Sequence, residues 1–498
     1  MVKYNCKLCG KGFLIKSHYD SHIKGKITCE KNTDKTQTLV DKTSEEKINN
    51  KKLIVKNKIV QINTNTMEKP KKAMSKKQIL KLVDYHKLKF IDLCCGIGGF
   101  HYALQNLGHE CVMASDINEK CRTNYEINHK IKPLGDLTKI DIKTIPNFDI
   151  LCAGFPCQPF SKAGEQKGFE DKRGNIFFEI CKIIKYHNPK YLILENVRNL
   201  ASHDSGNTWE VIKASIDKLN YYTYEKPVIL NTLYFGVPQS RERVVIMCKR
   251  KDLGELPKLP SISKTNIKST TLEDIVVEHA NEKYNLSGKL KETEKIWSNF
   301  LDICASNNIT IPRYPIWTDW WDSDGNNTKV TKYNDKISKD ENEKKIKKAQ
   351  QDFYEKYKNW IDKNREFYNT NIDILKPWLI ESRKIKLWLG AVRKMEWQTG
   401  TDNLNMNQTL WSPRGSGIRI KNINYSPTLV AMASMIPIYG PKSRFLTPRE
   451  CARLQSFPED YIIHEEDKVS YSQFGNAVNV KMIERCSRFL IDDEPLFA

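Results

Sequence analysis

An α/β fold built on a largely parallel, Rossmann-like sheet is what this sequence predicts, and three observations carry the expectation. Phe90–Leu93 is an apolar run that breaks into Gly96-Ile97-Gly98-Gly99-Phe100, where a helix can start. A second apolar run, Glu110–Ser115, ends in Asp116. A third, Phe148–Ala153, runs into Gly154-Phe155-Pro156-Cys157-Gln158-Pro159. Strands that alternate with helical segments imply βαβ units. Ligands of such sheets bind beyond the carboxyl ends of the strands. The two prolines flanking Cys157 lack the N–H a sheet needs, so this cysteine is expected on a stiff loop just past a strand end.

Composition sets the outer limits. The chain has 498 residues, 39% of them hydrophobic, and a net charge of +21. Residues 1–89 hold 22 Lys, no Arg and 8 Asp+Glu, so 22 − 8 = +14 of that excess lies in the first 89 residues. A chain so basic favours a polyanion, of which nucleic acid is the foremost. There is no apolar run long enough for a signal peptide or a membrane span. The 14 cysteines are scattered, several inside apolar runs, which argues against a disulfide framework and for an intracellular location.

Residues 1–30 contain Cys6, Cys9, His22 and Cys29, spaced C-x2-C-x12-H-x6-C. A tetrahedral zinc ion takes four such N/S ligands, and a segment this short has few other means of folding. Phe13 and Tyr19 stand where a ββα finger keeps its small core. The segment resembles a two-cysteine, two-histidine zinc finger with Cys29 in the last ligand position, and could dock on DNA or on a protein. Residues 31–78 are rich in Lys, Asn and Thr and read as a flexible basic linker. Lys77–Lys89 is expected to form a short helix.

The next part begins at residue 79 and runs to 250. Glycines at 96, 98 and 99 let backbone approach a ligand at a helix start, and an acid at the end of the second strand, Asp116, commonly takes ribose hydroxyls. After the Pro-Cys loop come a helical stretch, Ile176–His187, and a strand, Tyr191–Leu194, ending in Glu195-Asn196-Val197. Val228–Leu233 and Val244–Cys248 are further strands, separated by Gln239-Ser240-Arg241-Glu242-Arg243.

These segments together resemble the DNA cytosine-5 methyltransferases. The resemblance rests on Asp-Leu-Cys-Cys-Gly-Ile-Gly-Gly, Gly-Phe-Pro-Cys-Gln-Pro-Phe-Ser, Glu-Asn-Val and Gln-Ser-Arg-Glu-Arg, in that order. It continues in Leu446-Thr447-Pro448-Arg449-Glu450 and in Gln473-Phe474-Gly475-Asn476-Ala477-Val478. It implies S-adenosylmethionine as cofactor and Cys157 as nucleophile. It also implies Glu195 as the group protonating or hydrogen-bonding N3 of the base, and Arg243, with Arg241 nearby, as the holder of O2. The cofactor residues it implies are Cys94, Gly96, Ile97, Gly98, Gly99, Phe100, Asp116, Ile117, Asp136, Leu137, Pro156, Ile176, Asn476 and Ala477. Cys94 departs from the family pattern, which has an aromatic residue there; Cys94 and Cys95 read as small buried residues. The chemistry is coherent: carbon 5 of cytosine becomes nucleophilic once a thiolate adds at C6, and a base inside a duplex must be flipped out to reach that thiolate. Gln158–Glu170 is the loop expected to close over it.

Residues 251–430 match no catalytic motif. Nine of the ten tryptophans lie between 251 and 418: Trp297, Trp317, Trp320, Trp321, Trp360, Trp378, Trp388, Trp397 and Trp411. They read first as a domain core. Lys336–Tyr368 reads as a charged helix with Phe353, Tyr357 and Trp360 on one face. By the same resemblance this segment is a target-recognition domain, and residues 431–498 complete it and return to the catalytic domain. Gln158, Ser161, Arg414, Arg419, Thr428 and Leu429 are the candidate DNA contacts. The expected enzyme is a monomer acting on double-stranded DNA in a restriction–modification or self-protection setting. The alternatives are an RNA-directed member of the family, which the long middle segment disfavours, and an inactive DNA-binding homologue, which Cys157, Glu195 and Arg243 disfavour.

Overall fold

The computed structural model describes residues 4–5, 12–13, 87–156, 176–263, 266–267, 270–322, 339–400 and 405–497. The chain divides into two units, Met1–Lys81 and Leu82–Ala498. In the first, strands β1 (Tyr4–Asn5) and β2 (Gly12–Phe13) pair antiparallel with Tyr4 opposite Phe13. The four proposed zinc ligands lie outside the described residues.

Among its described residues the second unit holds two main sheets and a separate two-stranded pair of Gln239–Ser240 with Ser426–Pro427. The larger is built from β3 (Lys89–Leu93), β4 (Glu110–Ser115), β5 (Ile150–Ala153), β6 (Tyr191–Val197), β7 (Tyr221–Tyr222), β8 (Val228–Asn231) and, after the short β9 (Gln239–Ser240), β10 (Glu242–Arg250). Its order is β4-β3-β5-β6-β10-β7, with β8 also paired to β10. Strands β3 to β6 run parallel, whereas β10 is antiparallel to β6. The chain steps from β3 to β4 on one side and returns to β5 on the other, so the topological switch point lies between β3 and β5, where such sheets open a crevice. The β3, β5 and β6 residues are almost wholly buried, the continuous apolar pattern of a sheet covered on both faces. Helix α1 (Gly99–Asn106) packs on the last helix of the chain, α10 (Val480–Asp492).

Two sequence expectations shift here. Lys89 starts β3 rather than ending a helix, and its N–H is bonded to the Asp149 carboxylate; most of the remaining expected helix falls outside the described residues. Strand β10 begins at Glu242, two residues earlier than expected, because β6 and β8 both pair with its start.

The smaller sheet has the order β11-β12-β14-β13-β16-β17, from Ile316–Trp317, Lys394–Gln398, Gly417–Asn422, Thr409–Arg414, Ile438–Tyr439 and Arg444–Phe445. One face packs on helices at Gly288–Ser306 and Ile372–Lys384 through a core containing Trp297, Trp321, Trp378, Trp388, Trp397 and Trp411. The tryptophans are therefore mainly core, as the composition suggests. The charged helix appears as Lys339–Thr370, with Phe353, Tyr357 and Trp360 in ring contact along it.

The two sheets are tied by buried polar bonds. Strand β15 (Ser426–Pro427) pairs with β9. Glu450, third residue of the helix Pro448–Leu454, closes a capping box with Thr447 and accepts two bonds from Arg444 of β17, at 2.7 and 2.9 Å. Both side chains are almost fully buried.

Candidate active site

The carboxyl ends of β3, β4, β5 and β6 surround a cavity of about 560 Å³, within the size range of small-molecule and cofactor sites. Its wall near β3 is set by the turn after Leu93. Cys94 adopts φ +51 and Gly96 φ +53, left-handed values that glycine takes freely and cysteine does not. The turn is pinned by Asp116, whose Oδ2 accepts the Gly96 N–H at 2.8 Å while Oδ1 accepts that of Asn118 at 2.7 Å. Asp136 lines the cavity and accepts from the Thr138 N–H and hydroxyl. Those bonds lower its carboxyl pKa and keep it ionised.

Across the cavity stand Glu195 and Arg243. Antiparallel pairing sets Glu195 opposite Val245 and Arg243 opposite Val197, so the two side chains are diagonal neighbours on one face of the sheet. Arg243 Nε lies 2.9 Å from Glu195 Oε1, and both side chains are about one-tenth exposed. Burial raises the Glu195 pKa, and Arg243 and Arg241 pull the other way. Asn196 donates to the Phe155 carbonyl at 2.9 Å and so ties the end of β6 to the segment leading to Pro156. Pro156 itself lines the cavity. Cys157, Gln158 and Ser161 follow it in sequence and lie outside the described residues.

Of the expected cofactor residues, Cys94, Gly96, Asp116, Ile117, Asp136, Leu137, Pro156, Ile176 and Asn476 line this one cavity. Ile97, Gly98, Gly99, Phe100 and Ala477 are not among the residues that line it. Ile97, Phe100 and Ala477 are buried in the core. A Cβ at Gly98 would overlap the His129 ring, and one at Gly99 the Val478 carbonyl. These glycines are required by packing, a signal identical in sequence to that of a ligand approach. Cys94 and Cys95 also separate: Cys95 is buried, whereas Cys94 reaches the cavity, its thiol held neutral by a pKa pushed up to about 12 through burial and the nearby Asp116.

Arg241 lines the same cavity, but its guanidinium is committed to the carbonyls of Leu429 at 3.0 Å, Gly475 at 3.1 Å and Ala477 at 2.8 Å. It holds the returning C-terminal segment against the sheet. Gln239, which the sequence did not single out, works beside it, accepting from the Leu429 N–H and donating to the Leu454 carbonyl. Leu429 is thereby turned into the core and is only 2% exposed, so its side chain is withdrawn from any DNA surface. Thr428 is half-buried and its hydroxyl donates to the Ser240 carbonyl. Arg414 and Arg419 lie on the smaller sheet, on strands β13 and β14.

A mixed sheet of this order, with acids at the ends of its parallel strands, gives the molecule the α/β methyltransferase fold. Comparison with known proteins narrows the class. The model of the C-5 cytosine-specific DNA methylase family matches residues 88–491. Type II methyltransferase M.HhaI of Haemophilus parahaemolyticus is 32% identical over 401 residues, covering 80% of this chain and 92% of the relative. Type II methyltransferase M.BanI of Aneurinibacillus aneurinilyticus is 32% identical over 431 residues, covering 80% and 94%. M.HpaII of Haemophilus parainfluenzae reaches 48% over 171 residues, 34% of this chain and 48% of the relative. The chain belongs to the C-5 cytosine-specific DNA methylase family and is a DNA (cytosine-5-)-methyltransferase. S-adenosylmethionine is the cofactor of this family, and the cavity fits it: two carboxylates for hydroxyl and amino groups, and a turn whose backbone is open at Gly96, where a Cβ would meet nothing. Among the described residues no helix is long and apolar enough to cross a membrane.

Proposed function

We propose that the enzyme methylates C5 of a cytosine held within a specific short sequence of double-stranded DNA, with the target base flipped into the cavity. Bound S-adenosylmethionine supplies the methyl group; Asp116 and Asp136 bind its ribose and adenine ends, and Asn476 closes the far rim. Cys157 adds as a thiolate to C6 of the cytosine. Glu195 donates a proton or a strong hydrogen bond to N3, so the charge arriving from the thiolate is neutralised on the ring rather than left on C5 as a bare carbanion. Arg243 holds Glu195 and is within reach of O2. After methyl transfer a base removes the C5 proton and the thiolate leaves, restoring aromaticity. Arg241 acts as a positioning residue through the carbonyls it bonds.

The observation that carries this reading is the Glu195–Arg243 pair, buried and 2.9 Å apart, in the same cavity as Pro156, the residue before Cys157. A carboxyl whose pKa burial has raised is suited to give a proton. In this reading Gln158–Glu170 is the loop that closes over the flipped base, with Gln158 and Ser161 as its DNA contacts. Arg414 and Arg419 contact the duplex from the smaller sheet, which serves as target-recognition domain, and Thr428 keeps the connection between the sheets in register. In this reading the enzyme acts as a monomer, and its restriction–modification or self-protection setting is supported by the type II names of its relatives. Residues 1–30 hold a structural zinc ion through Cys6, Cys9, His22 and Cys29, a reading supported by the antiparallel pairing of Tyr4–Asn5 with Gly12–Phe13.

Bisulfite sequencing of a random duplex library treated with the enzyme and S-adenosylmethionine tests the whole proposal. Protected cytosines within one short sequence are expected. Methylation of cytosines without regard to sequence, or of folded RNA in preference to duplex DNA, would contradict it.

A further inference from the structure

Among the described residues, the face of the smaller sheet opposite its tryptophan core carries an excess of positive charge. Parallel pairing of β12 with β14 sets Glu396 beside Arg419 and Gln398 beside Lys421. Antiparallel pairing of β13 with β14 sets Ser412 beside Arg419 and Arg414 beside Gly417. Paired residues in a sheet project to one face, so Glu396, Arg419, Lys421 and Arg414 share it. The same face carries Leu410 and Tyr439 further across, and those two pack into the catalytic core. At its other edge Trp317 sits beside Lys394, whose ammonium lies 4.1 Å from the centre of the Trp360 ring, on the long helix. Between these covered edges, among the described residues, three cations face one carboxylate.

The cations are crowded. Burial and the Arg419 charge weaken the hold of Arg414 on its proton, and Lys421 is lowered by burial, Arg419 and Arg414. Such repulsion is tolerated where an anion or an acceptor-rich group arrives to relieve it. The single acid is placed with economy. Glu396 Oε2 accepts Arg419 Nε at 2.6 Å, with both side chains mostly buried. Among the described residues, neither Nη of Arg419 has a hydrogen-bond partner. A guanidinium tethered at Nε keeps its two Nη donors as a rigid fork, the shape that matches O6 and N7 of guanine in the major groove.

We propose that Arg419 reads a guanine in the target sequence and that Glu396 is the positioning residue that aims it, while Lys421 neutralises a neighbouring phosphate. The inference rests on the reading of this sheet as the target-recognition domain and names the residues that give it a preference. Without Glu396 the fork rotates freely and the guanine is no longer favoured over other bases at that position. Lys421 carries no sequence information, because phosphates are the same at every step.

The test is methylation of a randomised duplex library by the full chain, followed by bisulfite sequencing, for the parent, E396Q, R419K and K421Q. Thermal unfolding midpoints are recorded for each. For E396Q and R419K, discrimination is expected to fall by ~10- to 100-fold at one and the same G·C position, with the other positions of the site unchanged and midpoints near the parent value. K421Q is expected to slow methylation of all sites alike and to lower the slope of log affinity against log salt by about 1. A merely structural role for Glu396 would lower activity at every position equally. The inference is overturned if E396Q and R419K leave the preferred sequence intact, relax different positions, or weaken all positions together. A parent enzyme without any preferred sequence would instead overturn the reading beneath it.

Discussion

Glu195 is a carboxyl whose burial opposes its ionisation, while Arg243, bonded to it, and Arg241 support it. Replacing it by Gln keeps the shape and removes the proton it can give. Single-turnover methylation by E195Q is expected to slow by ~10²- to 10⁴-fold while the folded protein still binds the cofactor, which isothermal titration with S-adenosylmethionine would check. A rate within a few-fold of the parent would show that N3 needs no acid. A second buried acid gives a stability test. Asp92 is 0% exposed, and neither of its carboxylate oxygens has a hydrogen-bond partner among the described residues. Its pKa is raised well above the ordinary carboxyl value, with the Asp116 charge adding to the burial. A raised folded pKa means that its stabilising contribution is complete below about pH 3.9 and is lost as pH rises through the folded value. Asp92→Asn is therefore expected to gain about 1–2 kcal/mol over the parent near pH 8 and nothing near pH 4, read from urea unfolding at both pH values. An equal difference at both would contradict the assignment. The neighbouring stacked pair His101 and His129, with pKa values lowered by burial to about 3 and about 4, works in the opposite sense. Its contribution is complete above about pH 6.5 and is lost as pH falls toward those values.

At the scale of elements, the residues that resemble catalytic motifs divide into those that face the cavity and those that assemble it. Glu450 belongs to the second group. It caps its own helix, pairs with Arg444 of the smaller sheet, and accepts the Val277 N–H at 2.8 Å. Glu450→Gln leaves a buried guanidinium without its counter-charge, and a loss of about 3–5 kcal/mol is expected in urea unfolding; a loss under about 1 kcal/mol would mean the pair is dispensable. The parallel strands were legible because each is an apolar run ended by glycine, acid or proline. Asp116, Asp136, Glu195 and Asn476 were legible because strand ends and motif order place them. The burial of Leu429 was not, since a Thr-Leu pair carries no mark of the Gln239 and Arg241 side chains, about 190 residues earlier, that hold it. Nor could spacing separate Gly96, which borders the cavity, from Gly98 and Gly99, which make room for His129 and Val478. Local pattern records that a small residue is needed, and only the long-range packing records why.

At the scale of the whole molecule, the C-terminal segment completes a cavity begun some 380 residues earlier. Asn476 faces the strand ends that start with Cys94, and helix α10 packs on α1. The Glu195–Arg243 pair at β6 and β10, the carboxylates at β4 and beyond, and Pro156 therefore converge on one volume, and the account stands on what that volume does. A duplex whose target cytosine bears fluorine at C5 tests this directly. The thiolate can add at C6 and the methyl group can arrive, but no base can remove fluorine as a cation, so the enzyme remains bonded to the ring. With S-adenosylmethionine present, mass spectrometry of the digested complex is expected to find the methylated nucleotide attached to the peptide containing Cys157, and Cys157→Ser to give no adduct. An adduct on another residue, or turnover of ordinary cytosine by Cys157→Ser at the parent rate, would contradict the account.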